Sequence, residues 1–385
     1  MTEDWRNGGF GLYLHWPFCE AKCPYCDFNS HVSHKIDQRA WRDAYLSELN
    51  RAAAETPGRI LNAVYFGGGT PSLMDPDTVA DIIAAIRQHW PLANDLEITL
   101  EANPSSVEAG RFQAFRQAGV DRVSMGIQAL NDEDLRRLGR VHTVEEAMTA
   151  FDIARTSFER VSFDLIYGRQ GQSRRDWEAE LCQALDMAVD HLSLYQLTIE
   201  SGTAFGDRYA RGTLRGLPDE DLGADLFITT QELCAKAGLR AYEVSNHARD
   251  GAQSRHNLIY WRYGDYVGIG PGAHGRLTVR GQKWATEAIR NPALWLGGVD
   301  QGQSERPRSA LSEREQATEY LLMGLRLREG IDMDRYTQLA GKPLDAESIS
   351  HLTNIGMAFI KQNKLIVSDQ GFMVLNQVIE TLIPD

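Results

Sequence analysis

The stretch CEAKCPYCDFNSH, residues 19–31, holds three of the five cysteines of a 385-residue chain: Cys19, Cys23 and Cys26. It follows directly on GLYLHW, residues 11–16, which reads as a β-strand. The cysteines therefore lie on a loop at the C-terminal end of a first strand. In parallel α/β architectures that end carries the active site. Pro17, Pro24 and the short spacings predict a tight loop with its thiols facing inward.

Outward from this loop the chain alternates short apolar runs with longer amphipathic ones. IDQRAWRDAYLSELNRAAAE (36–55) reads as a helix, NAVYFGGG as a strand ending in a glycine turn, and 75–89 as a helix capped by Asp75 with Pro76 at its first position. LEITLEANP is a strand, and SSVEAGRFQAFRQAG a helix ended by Gly119. RVSMGIQ is a strand followed by two short helices over 131–157. RVSFDLIYG, a helix over 173–187 and the strand HLSLYQLTIE complete the series. Strands separated by helices imply right-handed crossovers and a parallel sheet. Six such units lie between residues 11 and 200, which suits an open, partial (β/α)6 barrel.

Beyond residue 240 the pattern changes. RAYEVSNHA and DYVGIGPGAHG read as strands and glycine-rich turns attached to the main sheet. The expected organisation is a barrel with its extension over 1–290, a linker over 291–308 and a small C-terminal α+β domain over 309–385. KLIVSD and GFMVLN are expected to form a hairpin there, giving a winged-helix-like unit. Residues 305–385 carry nine Lys/Arg against twelve Asp/Glu. A DNA-reading wing is basic, so this balance argues against nucleic acid. The whole chain, at a net charge of −13, argues the same way.

No run approaches the ~20 apolar residues of a membrane span. The opening MTEDWRNGGFG lacks the basic and apolar regions of a signal peptide. A cytoplasmic location is expected. In a reducing compartment clustered cysteines suggest metal or redox chemistry rather than disulfides.

Three thiols raise the question of the fourth ligand. A structural zinc takes four. Cys182 and Cys234 stand alone in helix-like segments, and His15, His31 or His34 could complete such a site, so zinc stays open on the residues alone. An iron–sulfur cube also normally takes four cysteines. Three leave one iron free to bind a chelating substrate and pass it an electron.

C-x3-C-x2-C at the end of a first strand, with an aromatic at Phe28, resembles the radical S-adenosylmethionine (SAM) superfamily. The run YFGGGTPS one βα unit later strengthens the resemblance, because glycines let backbone approach a ligand closely. The resemblance implies a [4Fe-4S] cluster on Cys19, Cys23 and Cys26, with SAM chelating the fourth iron. It also implies a SAM pocket shaped by Gly68, Gly69 and Thr70, by Glu101 in EANP and by Gln128 in GIQALN. Arg140 in LGRVH is expected to meet the SAM carboxylate. Asp164 in SFDLIYG is expected to take its ribose, with Tyr13 as a further contact and Tyr25 beside the cluster.

The strings CPYCDFNSH, GGGTPSLM, EANP, GIQ, DLIYG and YQLTIE resemble the coproporphyrinogen III oxidase-like group, whose chemistry belongs to porphyrin biosynthesis. The oxidase branch, HemN, carries another cysteine two residues after the third, where this chain has Phe28, and a long N-terminal arm. RHNLIYWRYGDYVGIGPGAHG (255–275) resembles instead the HemW branch, whose heme-associated motif H-N-x-x-Y-W is present as His256, Asn257, Tyr260 and Trp261. An imidazole suits heme iron, and flat aromatic faces suit a porphyrin. His274 is a second candidate, and Arg255 and Arg262 are candidates for the propionates.

The resemblance thus implies a heme chaperone that binds heme, SAM and a cluster and transfers heme to an acceptor protein, membrane respiratory proteins being candidates. The alternative is an oxygen-independent oxidase acting on a porphyrin. Residues 167–173, YGRQGQS, depart from the Leu-Pro that relatives carry after the glycine, which alters a loop at the barrel mouth.

Overall fold

The computed structural model describes residues 3–33 and 35–383. Six parallel strands form the series expected from the sequence: β1 (Phe10–Trp16), β2 (Leu61–Gly68), β3 (Leu92–Ala102), β4 (Arg122–Gln128), β5 (Arg160–Tyr167) and β6 (His191–Gln196). Between them run α1 (Gln38–Glu55), α2 (Pro76–His89), α3 (Phe112–Ala118), α4 (Val144–Ser157) and α5 (Arg174–Met187). After β6 comes α6 (Glu220–Lys236), then α7 (Arg255–Trp261).

Two-residue periodicity sorts each strand into two faces. Leu12, Leu14 and Trp16 of β1 join Val64 and Phe66 of β2 and Leu100 of β3 under the helices, all nearly inaccessible. Ile82, Ile83 and Ile86 of α2 sink into this layer, each contributing about 1.5–3 kcal/mol by burial. The other face carries the polar residues Tyr13, Tyr65, Glu101, Ser124 and Asp164, with Tyr13 opposite Tyr65 and Glu101 opposite Ser124 in the register.

The expected extension does join the sheet, at both edges. Asn246–Ala248 and Arg240–Ala241 add antiparallel strands beyond β6. β7 (Asp265–Ile269) runs parallel beside β1, followed by antiparallel β8 (His274–Val279) and β9 (Gln282–Glu287). The result is a twelve-stranded mixed sheet. Across its concave face lies α7. A Cβ added to Gly11 would come within 3.0 Å of Ile259, so the glycine makes room for this helix.

Three local expectations need correction. The helix read over 105–119 is broken into Ser106–Ala109 and α3; Gly110 and Arg111 interrupt it, and Gly119 ends it in the left-handed region as expected. Asp75 does precede α2, but its side chain makes no capping bond. The C-terminal hairpin pairs Ala358–Lys361 (β10) with Lys364–Val367 (β11), while GFMVLN is helical. Gln362 and Asn363 both take positive φ, 49° and 62°, which closes a two-residue turn of the twist that suits hairpins. Ser368 then caps the next helix by accepting from the Gly371 N–H.

The stretch 291–308 contains a helix, α8 (Pro292–Val299), whose Trp295 stacks on Trp41 of α1 at 5.5 Å. The C-terminal unit has its own core around Leu321, Tyr336, Leu365 and Val378. Its α9 (Glu313–Gly324) is tied to the sheet through Glu319 and Arg276, and Arg335 reaches Asp4 at 2.7 Å. Among the described residues no helix is long and apolar enough to cross a membrane.

Candidate functional site

The cysteine loop leaves β1 and is closed by a two-residue parallel bridge between Phe18–Cys19 and His31–Val32. All three thiols are half-buried and free of disulfides. They line one pocket with Gly68, Gly69, Thr70, Glu101, Gln128, Arg140, Asp164 and Tyr25. The register of the parallel strands therefore gathers residues from five strand ends, as expected from the sequence.

The glycine run serves the loop as well as the pocket. The Gly69 N–H donates to the Trp16 carbonyl at 2.7 Å and the Thr70 N–H to the Phe18 carbonyl at 2.8 Å. A Cβ on Gly69 would lie 2.6 Å from the Phe18 carbonyl oxygen, so only glycine allows β2 to run this close to the cysteine loop. Gly68, at φ 112°, donates its N–H to Glu101. Pro24 is seated against Gly139 on one side, and its carbonyl accepts from Phe205 N–H at 2.8 Å.

Polar contacts bind the sulfurs to the barrel. Thr70 Oγ1 lies 3.5 Å from Cys19 Sγ, Ser30 Oγ 3.7 Å from Cys26 Sγ, and Arg140 Nη1 3.4 Å from Cys23 Sγ. Burial pushes the Cys19 and Cys26 thiols up, so both are held protonated in the free protein. Arg140 also donates to Asn103 Oδ1 at 2.7 Å and to the Gly126 carbonyl at 2.9 Å, which leaves its buried Nε without a partner. Burial likewise pushes the Tyr25 hydroxyl up, keeping it neutral beside Cys23.

Two carboxyls face the same pocket. Burial pushes Glu101 up to about 7 against the pull of the Tyr65 hydroxyl, and pushes Asp164 up to about 6. The Asp164 charge adds to the rise of Glu101 by repulsion. The Arg122 and Arg140 guanidiniums pull Asp164 down only in part, and the two buried acids together suit a cationic ligand. Gln128 takes φ 74°, a costly conformation for a residue with a side chain, at a register shift in β4.

The residues fit a cluster better than a single ion. Among the described residues no three His, Cys, Asp or Glu side chains are gathered tightly enough to hold one metal ion. Zinc at about 2.3 Å from each sulfur would draw its ligands together; a cube spreads them over separate irons. The His15 ring is committed on both sides, accepting from Tyr13 and donating to the Asn29 carbonyl, each at 3.0 Å. His31 donates to Asn29 Oδ1 at 3.2 Å. His34 lies outside the described residues. The orphaned Arg140 Nε and the glycine cradle fit SAM's carboxylate and amino groups.

Tyr13 lies elsewhere. It faces the concave side one strand from the pocket, stacked 6.0 Å from His256. His256 is 4% exposed, stacked on Tyr65 at 4.2 Å and edge-on to Tyr260 at 4.4 Å. Asn257 donates to the Tyr242 hydroxyl at 3.2 Å. Arg255 pairs with Asp95 and Arg262 with Glu329, so both guanidiniums are already engaged. Tyr260, Trp261 and His274 line a second cavity, together with Tyr13 and Phe28. Phe28 also lines the cysteine pocket, so it forms a shared wall.

Arg169, the departure noted in the sequence, is buried, with hydrogen bonds to Asp134 and Glu180. It braces the mouth loop rather than facing the cysteine pocket. Sequence reading missed Tyr65 and Asn103. Tyr65 donates to Glu101 at 2.7 Å, and Asn103 links Arg140 to Thr70. Asn103 stood in the EANP string, two residues after Glu101; Tyr65 carried no signal beyond its place before the glycines.

The sequence profile of the Radical SAM superfamily matches residues 13–181, and that of the HemN C-terminal domain residues 311–374. The mouse protein named radical S-adenosyl methionine domain-containing protein 1, mitochondrial, is 38% identical over 97% of this chain and 87% of its own length. The heme chaperone HemW of Escherichia coli strain K12 is 41% identical over 74% of this chain and 75% of its own. The structure of coproporphyrinogen III oxidase (HemN) from Escherichia coli superposes with a TM-score of 0.80 over 97% of this chain and 90% of that one, at 21% identity, a likeness of fold.

Proposed function

The chain belongs to the HemW family of the radical SAM superfamily, and we propose that it acts as a heme chaperone in the cytoplasm, holding a [4Fe-4S] cluster, SAM and heme and passing heme to an acceptor protein. The observation that supports this reading is the pocket on which three thiols, a glycine cradle and two raised carboxyls converge, with no fourth ligand gathered beside the thiols among the described residues. When bound, a cluster with one free corner supplies a chelation point for SAM and a one-electron reductant.

The chain's own residues do the positioning. Cys19, Cys23 and Cys26 hold the cluster on a loop stitched to β2. Arg140 and Thr70 donate toward two of the sulfurs, which stabilises thiolate over thiol. Gly68, Gly69, Gln128, Glu101 and Asp164 surround SAM. The aromatic cavity beyond Phe28, with Tyr260 and Trp261 in its wall, receives the porphyrin.

The rival reading is an oxygen-independent coproporphyrinogen III oxidase. Phe28, where that branch has a further cysteine, favours the chaperone. The test is anaerobic. Reconstituted protein is titrated with ferric heme, and separately reduced and incubated with SAM and coproporphyrinogen. Stoichiometric heme binding without protoporphyrinogen in the mass spectrum supports the chaperone; protoporphyrinogen at catalytic turnover rejects it. Transfer is then followed as loss of heme from the protein to an apo-acceptor.

A further inference from the structure

Resting on the heme-binding reading, we propose that heme sits in the cavity between the cysteine loop, β7–β8 and α9, with the imidazole of His274, not that of His256, presented to the iron.

The burial of the two histidines separates their roles. His256 is 4% exposed and packed on Tyr65, Tyr13 and Tyr260. It forms part of the floor on which the sheet's concave face closes. A flat ligand of porphyrin size reaches it only if α7 leaves the sheet, and Ile259 beside Gly11 holds that helix down. His274 is the first residue of β8, exposed, and its ring hydrogen-bonds to nothing among the described residues. Its strand position is what puts it on the cavity wall.

The cavity has the chemistry of a porphyrin site. Its volume is about 440 Å³, inside the range of small-molecule pockets. Tyr260, Tyr266 and Trp261 give it aromatic walls. The Trp261 indole N–H is buried without a hydrogen-bond partner. Arg290 also lines the cavity and has no ion-pair partner among the described residues, unlike Arg276, which Glu319 occupies. Aromatic walls with one free guanidinium at the rim suit a ligand that is flat, apolar in its body and anionic at its edge.

On this assignment the motif H-N-x-x-Y-W works by position. His256 and Ile259 seat the helix, and Tyr260 and Trp261, one turn on, are presented to the ligand. His256 is thus a positioning residue.

The full chain, reconstituted anaerobically, is titrated with hemin and followed by absorbance and electron paramagnetic resonance. His274→Ala is expected to lose the nitrogen-ligated spectrum and to weaken binding at least tenfold, and free imidazole is expected to restore the spectrum. His256→Phe keeps the aromatic stack and is expected to retain the wild-type spectrum. Arg290→Glu is expected to weaken binding about fivefold with the spectrum unchanged. A His274→Ala protein with wild-type spectrum and affinity overturns the proposal, as does loss of the spectrum in His256→Phe with its iron–sulfur content intact. Wild-type protein that binds no hemin is a separate result, which removes the heme-binding reading itself.

Discussion

The Tyr65 hydroxyl donates to Glu101 Oε1 at 2.7 Å while the ring of the same tyrosine carries His256 at 4.2 Å. One side chain therefore joins the floor of the concave face to the carboxyl that faces the cysteine pocket. Tyr65→Phe keeps the stack and removes the donor. Hydrogen bonds to charged groups are worth about 1.5–3 kcal/mol, so SAM binding at pH 7 should weaken roughly tenfold or more. Calorimetric titration of cluster-loaded protein checks this, with hemin binding expected to stay as in wild type.

The pH dependence of SAM binding follows from Glu101. In the free protein its carboxyl is pushed up to about 7 by burial, so near neutrality it is only partly ionised. A ligand ammonium prefers the ionised form. SAM affinity should therefore rise as pH increases from 6 to 7.5, and Glu101→Gln should flatten that rise. The same shift has the opposite effect on the ligand-free fold. The folded state binds the Glu101 proton more tightly than the unfolded chain, so this group's contribution to stability falls as pH climbs from about 4.3 through 7. Chemical denaturation at pH 5 and pH 7.5, with and without SAM, reads both effects.

Gly69 is expected to be intolerant of any side chain. Its Cβ would meet the Phe18 carbonyl oxygen at 2.6 Å, and Phe18 precedes the first cysteine. Overpacking of this kind costs about 1–3 kcal/mol. Gly69→Ala should lower the melting temperature and, by displacing Cys19, reduce iron incorporation on reconstitution. Retention of a full iron complement would show that the loop is free to shift.

Cys23→Ala should abolish stable cluster assembly, read as loss of iron, acid-labile sulfide and the charge-transfer absorbance. Cys182→Ala is the matched control, since Cys182 is exposed on α5 and takes no part in the pocket. Its iron content should equal wild type.

Trp295→Ala tests the packing of the segment before the C-terminal unit. The indole is 1% exposed and stacked on Trp41, so truncation should cost about 3–5 kcal/mol, as for other large core aromatics. Equilibrium urea unfolding measures it. A cost under 1 kcal/mol would mean that α8 rests on the sheet without holding it.

The cysteine loop, the six βα units and the pocket residues at successive strand ends were legible in the sequence. Their signals are local: spacing within a loop, period-two apolarity within a strand, a glycine run, a cap. The failures share one cause. GFMVLN and KLIVSD are both apolar enough for strands, but the positive φ of Gln362 and Asn363 and the Ser368 cap fix the hairpin one segment earlier. NPALWLGG reads as a glycine-bearing connection until Trp41 and Tyr45 of α1 provide a surface for Trp295.

The sequence by itself determined the parallel α/β scaffold and the three-thiol loop, because periodicity and spacing act over a few residues. Only the tertiary structure decided that β7 lies beside β1, and hence that His256 is buried against Tyr65 while His274 stands open on the cavity wall. Both histidines sit in one stretch of sequence with similar aromatic surroundings. What separates them is which strand edge the chain returns to, and that is set by packing between residues some 250 positions apart, as between Gly11 and Ile259.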